Sequence, residues 1–123
     1  MADTLRPMLV KLTATGRKTG TVRTLPLYGF DASDGAIVIV GSRGGSAKDP
    51  EWANNLRADP RAAVTIGGET RQVIAREVSG EHRDRLWAIA AEGFPLYETY
   101  KRKTKRQIPL FLLEPAVDDG GRA

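Results

Sequence analysis

Two groups of residues in this sequence have the types and spacing to do chemistry. The first is Thr13-Ala-Thr-Gly-Arg-Lys-Thr-Gly20, with Arg23 three residues further on. Backbone amides in a glycine turn, hydroxyls and the cations Arg17, Lys18 and Arg23 are what a phosphate needs at close quarters. The GxxxxGK[ST] spacing of a P-loop is absent, and a solvated hairpin turn with incidental charge would show the same residues. The second group is Tyr97 and Tyr100, three apart on one face of an expected helix and leading into Lys101–Arg106. Paired phenols beside cations suit proton donation, the lining of a substrate mouth or the stacking of bases. An amphipathic helix with packed rings is the plain alternative, and the cations from Lys101 to Arg106 are expected to stay mobile and solvated.

Between these groups lies Gly41-Ser-Arg-Gly-Gly45, at the end of the most apolar strand of the chain. Its glycines let a flat ligand approach backbone amides, although it lacks a dinucleotide fingerprint and reads equally as an ordinary loop. Trp52, Asn54, Asn55 and Leu56 follow on a helix, mixing an aromatic ring with amides that would suit a planar heterocycle. Trp52 and Leu56, four apart, also make an ordinary core stripe. His82, among charged residues in the first turn of a helix, reads as a surface histidine, and no acid pair has the look of a glycosidase couple.

The elements that must position these residues can be read from turn chemistry and periodicity. Leu9–Thr13 and Thr21–Phe30 read as strands flanking a turn at Gly16–Gly20. Pro26 demands an edge, a bulge or a pleat where its missing N–H is not needed. After a turn at Asp31–Gly35, Ala36-Ile-Val-Ile-Val40 is a continuous apolar run, as in a strand covered on both faces. Asp49 is expected to cap a helix with Pro50 at its first position, and Pro60 ends that helix near Ala58. Ala62–Ile66 and Arg71–Val78 form a hairpin around Gly67-Gly68. Ser79 is expected to cap a helix over Glu81–Glu92, Pro95 to open a second one running to about Lys103, and Ile108–Leu113 to close the chain as a strand. Six strands with these helices argue a mainly β protein, a small barrel with helices at its ends.

The 123 residues make one domain, expected at 1–117 with a frayed tail at 118–123. Zero cysteines exclude disulfides, thiolate metal sites and cysteine nucleophiles, and a single histidine excludes a His-rich metal site. No apolar run approaches the length of a membrane-spanning helix, and the first residues lack the apolar core of a signal peptide, so a cytoplasmic protein is expected. Lys and Arg outnumber Asp and Glu by 19 to 15, a net charge of +4. Many of the cations fall in two acid-free blocks, Arg6–Arg23 and Lys101–Arg106, which fits an anionic partner: a phosphorylated cofactor, a nucleic acid or a lipid surface.

Laid out in order, the residues resemble a known family. Leu12–Gly20 with Arg23 and Pro26-Leu27 comes first. Next comes Gly41–Gly45 with Pro50, Trp52, Asn55-Leu56, Ala58 and Pro60. Last come Tyr97, Tyr100, Arg102, Thr104, Arg106, Ile108-Pro109 and Leu113-Glu114-Pro115. This pattern resembles the deazaflavin-dependent nitroreductases, small quinone and nitro-compound reductases that use coenzyme F420. Their fold is the six-stranded split β-barrel of the flavin-binding type, with an α-helix after strand 3 and a helical pair before strand 6.

The resemblance covers about Met8–Pro115. It implies that Lys18 and Arg23, with Arg17 close by, face the cofactor's phosphate, and that Pro26 lies near the cofactor. It also implies that Ser42, Arg43, Gly44 and Gly45 face the ring, that Trp52, Asn55 and Leu56 lie on the helix beneath it, and that Tyr97 and Tyr100 stand on the substrate side. Hydride would pass from reduced F420 to a small electron acceptor (a quinone, nitroaromatic or activated alkene). Tyr100 for preference, Tyr97, or the Ser42 hydroxyl would then stabilise the developing oxygen charge or supply the proton.

Arg43 stands where lysine is common, Ala53 where an aromatic often follows the tryptophan, and Lys101 where glutamine often follows the second tyrosine. Seven residues precede Met8 where relatives often carry a covering helix, so a more open mouth, or one closed by a second subunit or a large substrate, is expected. An FMN oxidoreductase on the same barrel and a basic barrel that binds nucleic acid without catalysis stay as alternatives; nucleic acid is not the expected partner. A homodimer and peripheral membrane contact stay open.

Overall fold

The computed structural model describes residues 7–116, so the expected tail lies outside the described residues. Six antiparallel strands close into a barrel in the order β1-β2-β3-β6-β5-β4. They are β1 (Met8–Thr15), β2 (Val22–Asp31), β3 (Ile37–Val40), β4 (Arg61–Ile66), β5 (Glu69–Glu77) and β6 (Leu110–Pro115). Helix α1 (Glu51–Ala58) follows β3, and α2 (Gly80–Gly93) and α3 (Leu96–Lys103) lie between β5 and β6. This is the split-barrel arrangement expected, with its one helix and helical pair in the expected places.

Local chemistry sets most of the corners. Gly67 and Gly68 both take positive φ, +60° and +85°, the geometry of a two-residue hairpin turn that puts Ile66 opposite Glu69. The pleat then divides the side chains into two cores. Val10, Leu12, Ile37, Ile39, Val64, Phe111 and Leu113 point into the barrel, whose end is plugged by Trp52, Ala53 and Leu56 of α1. On the outside, α2 and α3 cover Phe30, Val38, Val40, Leu110 and Leu112 with Leu86, Trp87, Ala90 and Tyr97. The run Ile37–Val40 is apolar throughout because it is buried on both faces. Each such side chain stabilises the fold by roughly 1.5–3 kcal/mol relative to exposure.

The barrel is split beside β2. All of β2 from Val22 to Gly29 pairs with β1, but its pairing with β3 covers only Gly29–Asp31. Hydrogen bonding from Gly16 N–H to Thr21 O makes Lys11–Pro26 a non-hydrogen-bonded pair in the alternating ladder. Pro26 therefore lacks its N–H on the side away from β1, where no strand pairs with it, which is the edge position its chemistry asks for.

Three details differ from expectation. Asp49 does not cap α1; Pro50 holds that position, and the Asp49 carboxylate accepts from Arg57 at 2.9 Å and Arg106 at 2.7 Å. A carboxylate held between two guanidiniums gains more than one bonded to a helix N–H. Ser79 holds the N-cap of α2 with its side chain unused. The last strand starts at Leu110 rather than Ile108, since Pro109 has no N–H to give and spends its carbonyl on Gly41 N–H at 2.8 Å.

Candidate functional site

The split is occupied by a groove of three adjoining cavities that share lining residues. The central one, about 570 Å³, is bounded by Ala14, Arg23, Thr24, Leu25, Arg43, Pro50, Glu51, Trp52 and Asn55. A second, about 250 Å³, continues past Arg23 and Asn55 to Arg17, Lys18 and Thr19. A third, about 340 Å³, continues past Trp52 and Arg43 to Ser42, Gly44, Tyr28, Phe94, Tyr97 and Tyr100. Residues from three distant stretches of sequence thus meet along one line: cations at one end, an indole in the middle, phenols at the other.

The cationic end is built by the β1–β2 turn. Gly16 N–H bonds Thr21 O at 2.8 Å, Gly20 N–H bonds Gly16 O at 2.9 Å, and Gly20 takes φ +73°. The turn is tied to α1, because Asn55 Oδ1 accepts from the Arg17 N–H at 3.0 Å and Arg17 pairs with Glu51 at 3.2 Å. Arg17 is thereby part-committed to an acid, whereas Lys18 and Arg23 have no ion-pair partner among the described residues. Arg23 lies opposite Ala14, on the inward face of β2 at its open rim. Lys18→Ala and Arg23→Ala are each expected to weaken binding of a phosphorylated cofactor by about 1–3 kcal/mol, read by titration. Lys101→Ala and Lys103→Ala, on the exposed end of α3, are expected to cost well under ~1 kcal/mol.

Trp52 serves two ends. It is 6% exposed, packs edge-on against Phe111 at 5.8 Å inside the barrel, and still lines the groove. Leu56 belongs to the barrel core alone, at 2% exposure, and Asn54 spends its carbonyl on Arg57. Pro26 lies on the outer side of β2 in a shallow apolar hollow with Leu9, Leu27 and Tyr28.

The glycine loop makes a short 3-10 turn, Arg43–Gly45, with φ of +46° at Arg43 and +63° at Gly44. Its glycines differ in purpose. A side chain on Gly44 would meet nothing within 4 Å, and this residue faces the groove. Gly45 is buried against α3, where a Cβ would stand 2.9 Å from Tyr100 O and 3.0 Å from Lys103 Cβ.

At the far end, Tyr97 is 5% exposed and set among Phe94, Phe30 and Trp87, whereas Tyr100 is half-buried. Burial pushes the Tyr97 phenol well above the ordinary phenol range, and the neighbouring Tyr100 and Tyr28 phenols push the same way. An unfolded chain releases this proton first as pH rises, so the stabilising contribution is whole below about pH 10 and drains away above it. Chemical denaturation from about pH 8 to about pH 11 is expected to show stability falling above pH ~10, and Tyr97→Phe is expected to flatten that fall.

Sequence reasoning missed several residues here. Tyr28 lines the phenol end and meets Phe94 edge-on at 5.3 Å, a contact between a strand and a helix end with no local signature. Glu51, read only as a helix start, lies between the two cationic cavities. Arg106, expected to be solvated, is 14% exposed and fully engaged: Ser42 O at 2.8 Å, Ser46 O at 2.9 Å and Asp49 at 2.7 Å. Its acceptors are mostly backbone carbonyls, which carry no sequence signal.

Residues 4–115 match a family model described as F420H(2)-dependent quinone reductase. An F420H(2)-dependent quinone reductase of Mycobacterium tuberculosis is 36% identical over 111 residues, covering 87% of this chain and 73% of that protein. Among solved structures, one described as an F420-H2 dependent reductase matches with a TM-score of 0.79 at 38% identity, covering 86% of this chain and 93% of its own. Another, described as a domain-swapped dimer, matches with a TM-score of 0.80 at 38% identity, covering 86% of this chain and 79% of its own. No helix among the described residues is long and apolar enough to cross a membrane.

Proposed function

Because the chain belongs to the F420H(2)-dependent quinone reductase family and is therefore an F420-using oxidoreductase, we propose that the groove along the split holds F420 lengthwise, with its phosphate at Lys18 and Arg23 and its ring beside Ser42–Gly44. The observation that carries this is the order of chemistry along one continuous groove: free cations, then Trp52 with an open Gly44, then phenols. These residues fit a long, phosphorylated, flat heterocycle, and Gly44 leaves open the space a side chain would fill.

Bound in its reduced form, F420 supplies hydride to the acceptor. The chain's own part is binding, orientation and electrostatics. Lys18 and Arg23 anchor the phosphate end, while Asn55 holds their turn against α1. Trp52, fixed by Phe111, gives a rigid wall to the central cavity. Tyr100 stands at the groove's open end, where a quinone, nitroaromatic or activated alkene would enter, and its hydroxyl donates to the oxygen on which charge develops. Tyr97, buried among rings with its phenol made harder to ionise, packs behind Tyr100 rather than serving as a proton source. Ser42 is a second candidate donor at the same cavity.

Part of the proposal concerns assembly and place. The likeness to a domain-swapped dimer supports a homodimer, and a cytoplasmic enzyme fits a chain whose described helices do not cross a membrane. Peripheral membrane contact has only exposed charge behind it and is left out.

The deciding experiment is titration with F420 and FMN side by side, read by quenching of tryptophan fluorescence, with Trp52 lining the groove and a Trp87→Phe variant isolating its signal. F420 is expected to bind at least about tenfold tighter, since its acidic tail gives the basic face more to contact. Equal or tighter FMN binding would overturn the cofactor assignment and leave the barrel intact.

A further inference from the structure

Arg106 lies behind the groove, touches none of the cavities that form it, and has all three guanidinium nitrogens bonded to protein acceptors. Its Nη2 donates to Ser42 O at 2.8 Å, its Nε to Ser46 O at 2.9 Å and its Nη1 to Asp49 Oδ1 at 2.7 Å. Asp49 is in turn held by Arg57, which grips both carboxylate oxygens of Glu77 on β5 at 2.8 and 2.9 Å. The guanidinium is thereby fixed to the barrel wall rather than to solvent.

The consequence falls on the loop in front of it. Ser42 O also accepts the Gly45 N–H at 2.8 Å, and Arg43 O accepts the Ser46 N–H at 3.1 Å, so the carbonyls of Ser42, Arg43 and Ser46 are all spent within the loop and on Arg106. A trans peptide points its N–H opposite to its C=O. With Ser42 O drawn towards Arg106, the Arg43 N–H is turned the other way. The Arg43 and Gly44 N–H groups have no protein acceptor among the described residues, and both residues line the groove. Ser42 in the right-handed region followed by Arg43 in the left-handed region is the alternation in which successive N–H groups form a concave donor site for a negative oxygen.

We infer that Arg106 is a positioning residue for hydride transfer: it clamps Ser42–Ser46 so that the Arg43 and Gly44 N–H groups and the Ser42 hydroxyl face the reacting ring and its acceptor. The planar guanidinium spreads its donors over three nitrogens and so reaches two carbonyls and a carboxylate at once, whereas a lysine ammonium carries its three donors on a single nitrogen. The inference rests on the F420 reading above.

The test compares wild type with Arg106→Lys, Arg106→Gly and Asp49→Asn, with Arg76→Ala as control. Arg76 pairs with Glu114 on the outside of the barrel, away from the groove. Three readouts are taken below each variant's melting temperature: F420 affinity by tryptophan quenching, amide exchange of the 41–47 segment, and the single-turnover rate of F420H2 oxidation by a small quinone.

Arg106→Lys and Asp49→Asn are expected to speed exchange in 41–47 and slow turnover at least about tenfold, with F420 affinity changed less than about threefold. Millimolar guanidinium is expected to restore much of the rate to Arg106→Gly and none to Arg76→Ala. A wild-type turnover rate in folded Arg106→Lys overturns the inference alone, as does a rate loss matched by an equal loss of F420 affinity. A wild type that neither binds nor oxidises F420H2 overturns the underlying reading along with it.

Discussion

Gly45→Ala is expected to destabilise the protein by about 2–4 kcal/mol and to slow turnover with it. Two costs add. The residue sits at φ +83°, where a side chain meets the following carbonyl, and its Cβ would press on the α3 backbone at Tyr100 O and on Lys103 Cβ. Helix α3 is docked by Tyr97 into the outer core, so the loop would have to move instead. Gly44→Ala is the matched control: its φ is +63°, but nothing lies within 4 Å, so only the backbone cost of about 1 kcal/mol applies. Urea denaturation of the two variants checks the difference. If both cost the same, the close approach of loop and helix is not what holds this part of the site.

The second large effect is kinetic. Tyr100→Phe is expected to keep F420 affinity within about threefold and to lower the single-turnover rate by about 10²–10³, the loss typical of one donor to a developing oxyanion. Tyr97→Phe is expected to lower it by less than about tenfold. The two phenols lie three residues apart with rings 6.4 Å from each other, yet their settings differ. Tyr97 is enclosed by rings and resists ionisation, while Tyr100 remains half-buried at the groove. Stopped-flow oxidation of F420H2 by a small quinone separates them. The reverse ranking would move the proton donor one helical turn back.

Much of the fold was legible because its corners are local. The run Ala36–Val40, the Gly67-Gly68 turn and the Pro60 stop each state their own geometry, and the strands and helices follow within a few residues. The cationic turn and the tyrosine pair could be singled out from their residue types, but each had a plain structural alternative in the sequence, and for Tyr97, buried among rings, packing is part of what the residue does. What stayed hidden depends on pairs far apart in the chain. Asp49 looks like a helix cap until two guanidiniums arrive from elsewhere. Arg106 looks like one more solvated cation until the carbonyls it meets are in place. Gly44 and Gly45 are neighbours of one type, and only the docked α3 tells the one open to the groove from the packed one.

The half-paired strand β2 also bears on where a foreign strand could attach to the barrel. From Val22 to Leu27 one side of the strand offers its N–H and C=O groups to no other strand, next to the exposed Val22 side chain. Such an edge is a template on which a strand from another chain can grow. Pro26 sits within that stretch with no donor to give on the open side, so a ladder begun at either end cannot run through it. A barrel with a groove along its split has an aggregation hazard built into that opening, and one ring at Pro26 is what interrupts it.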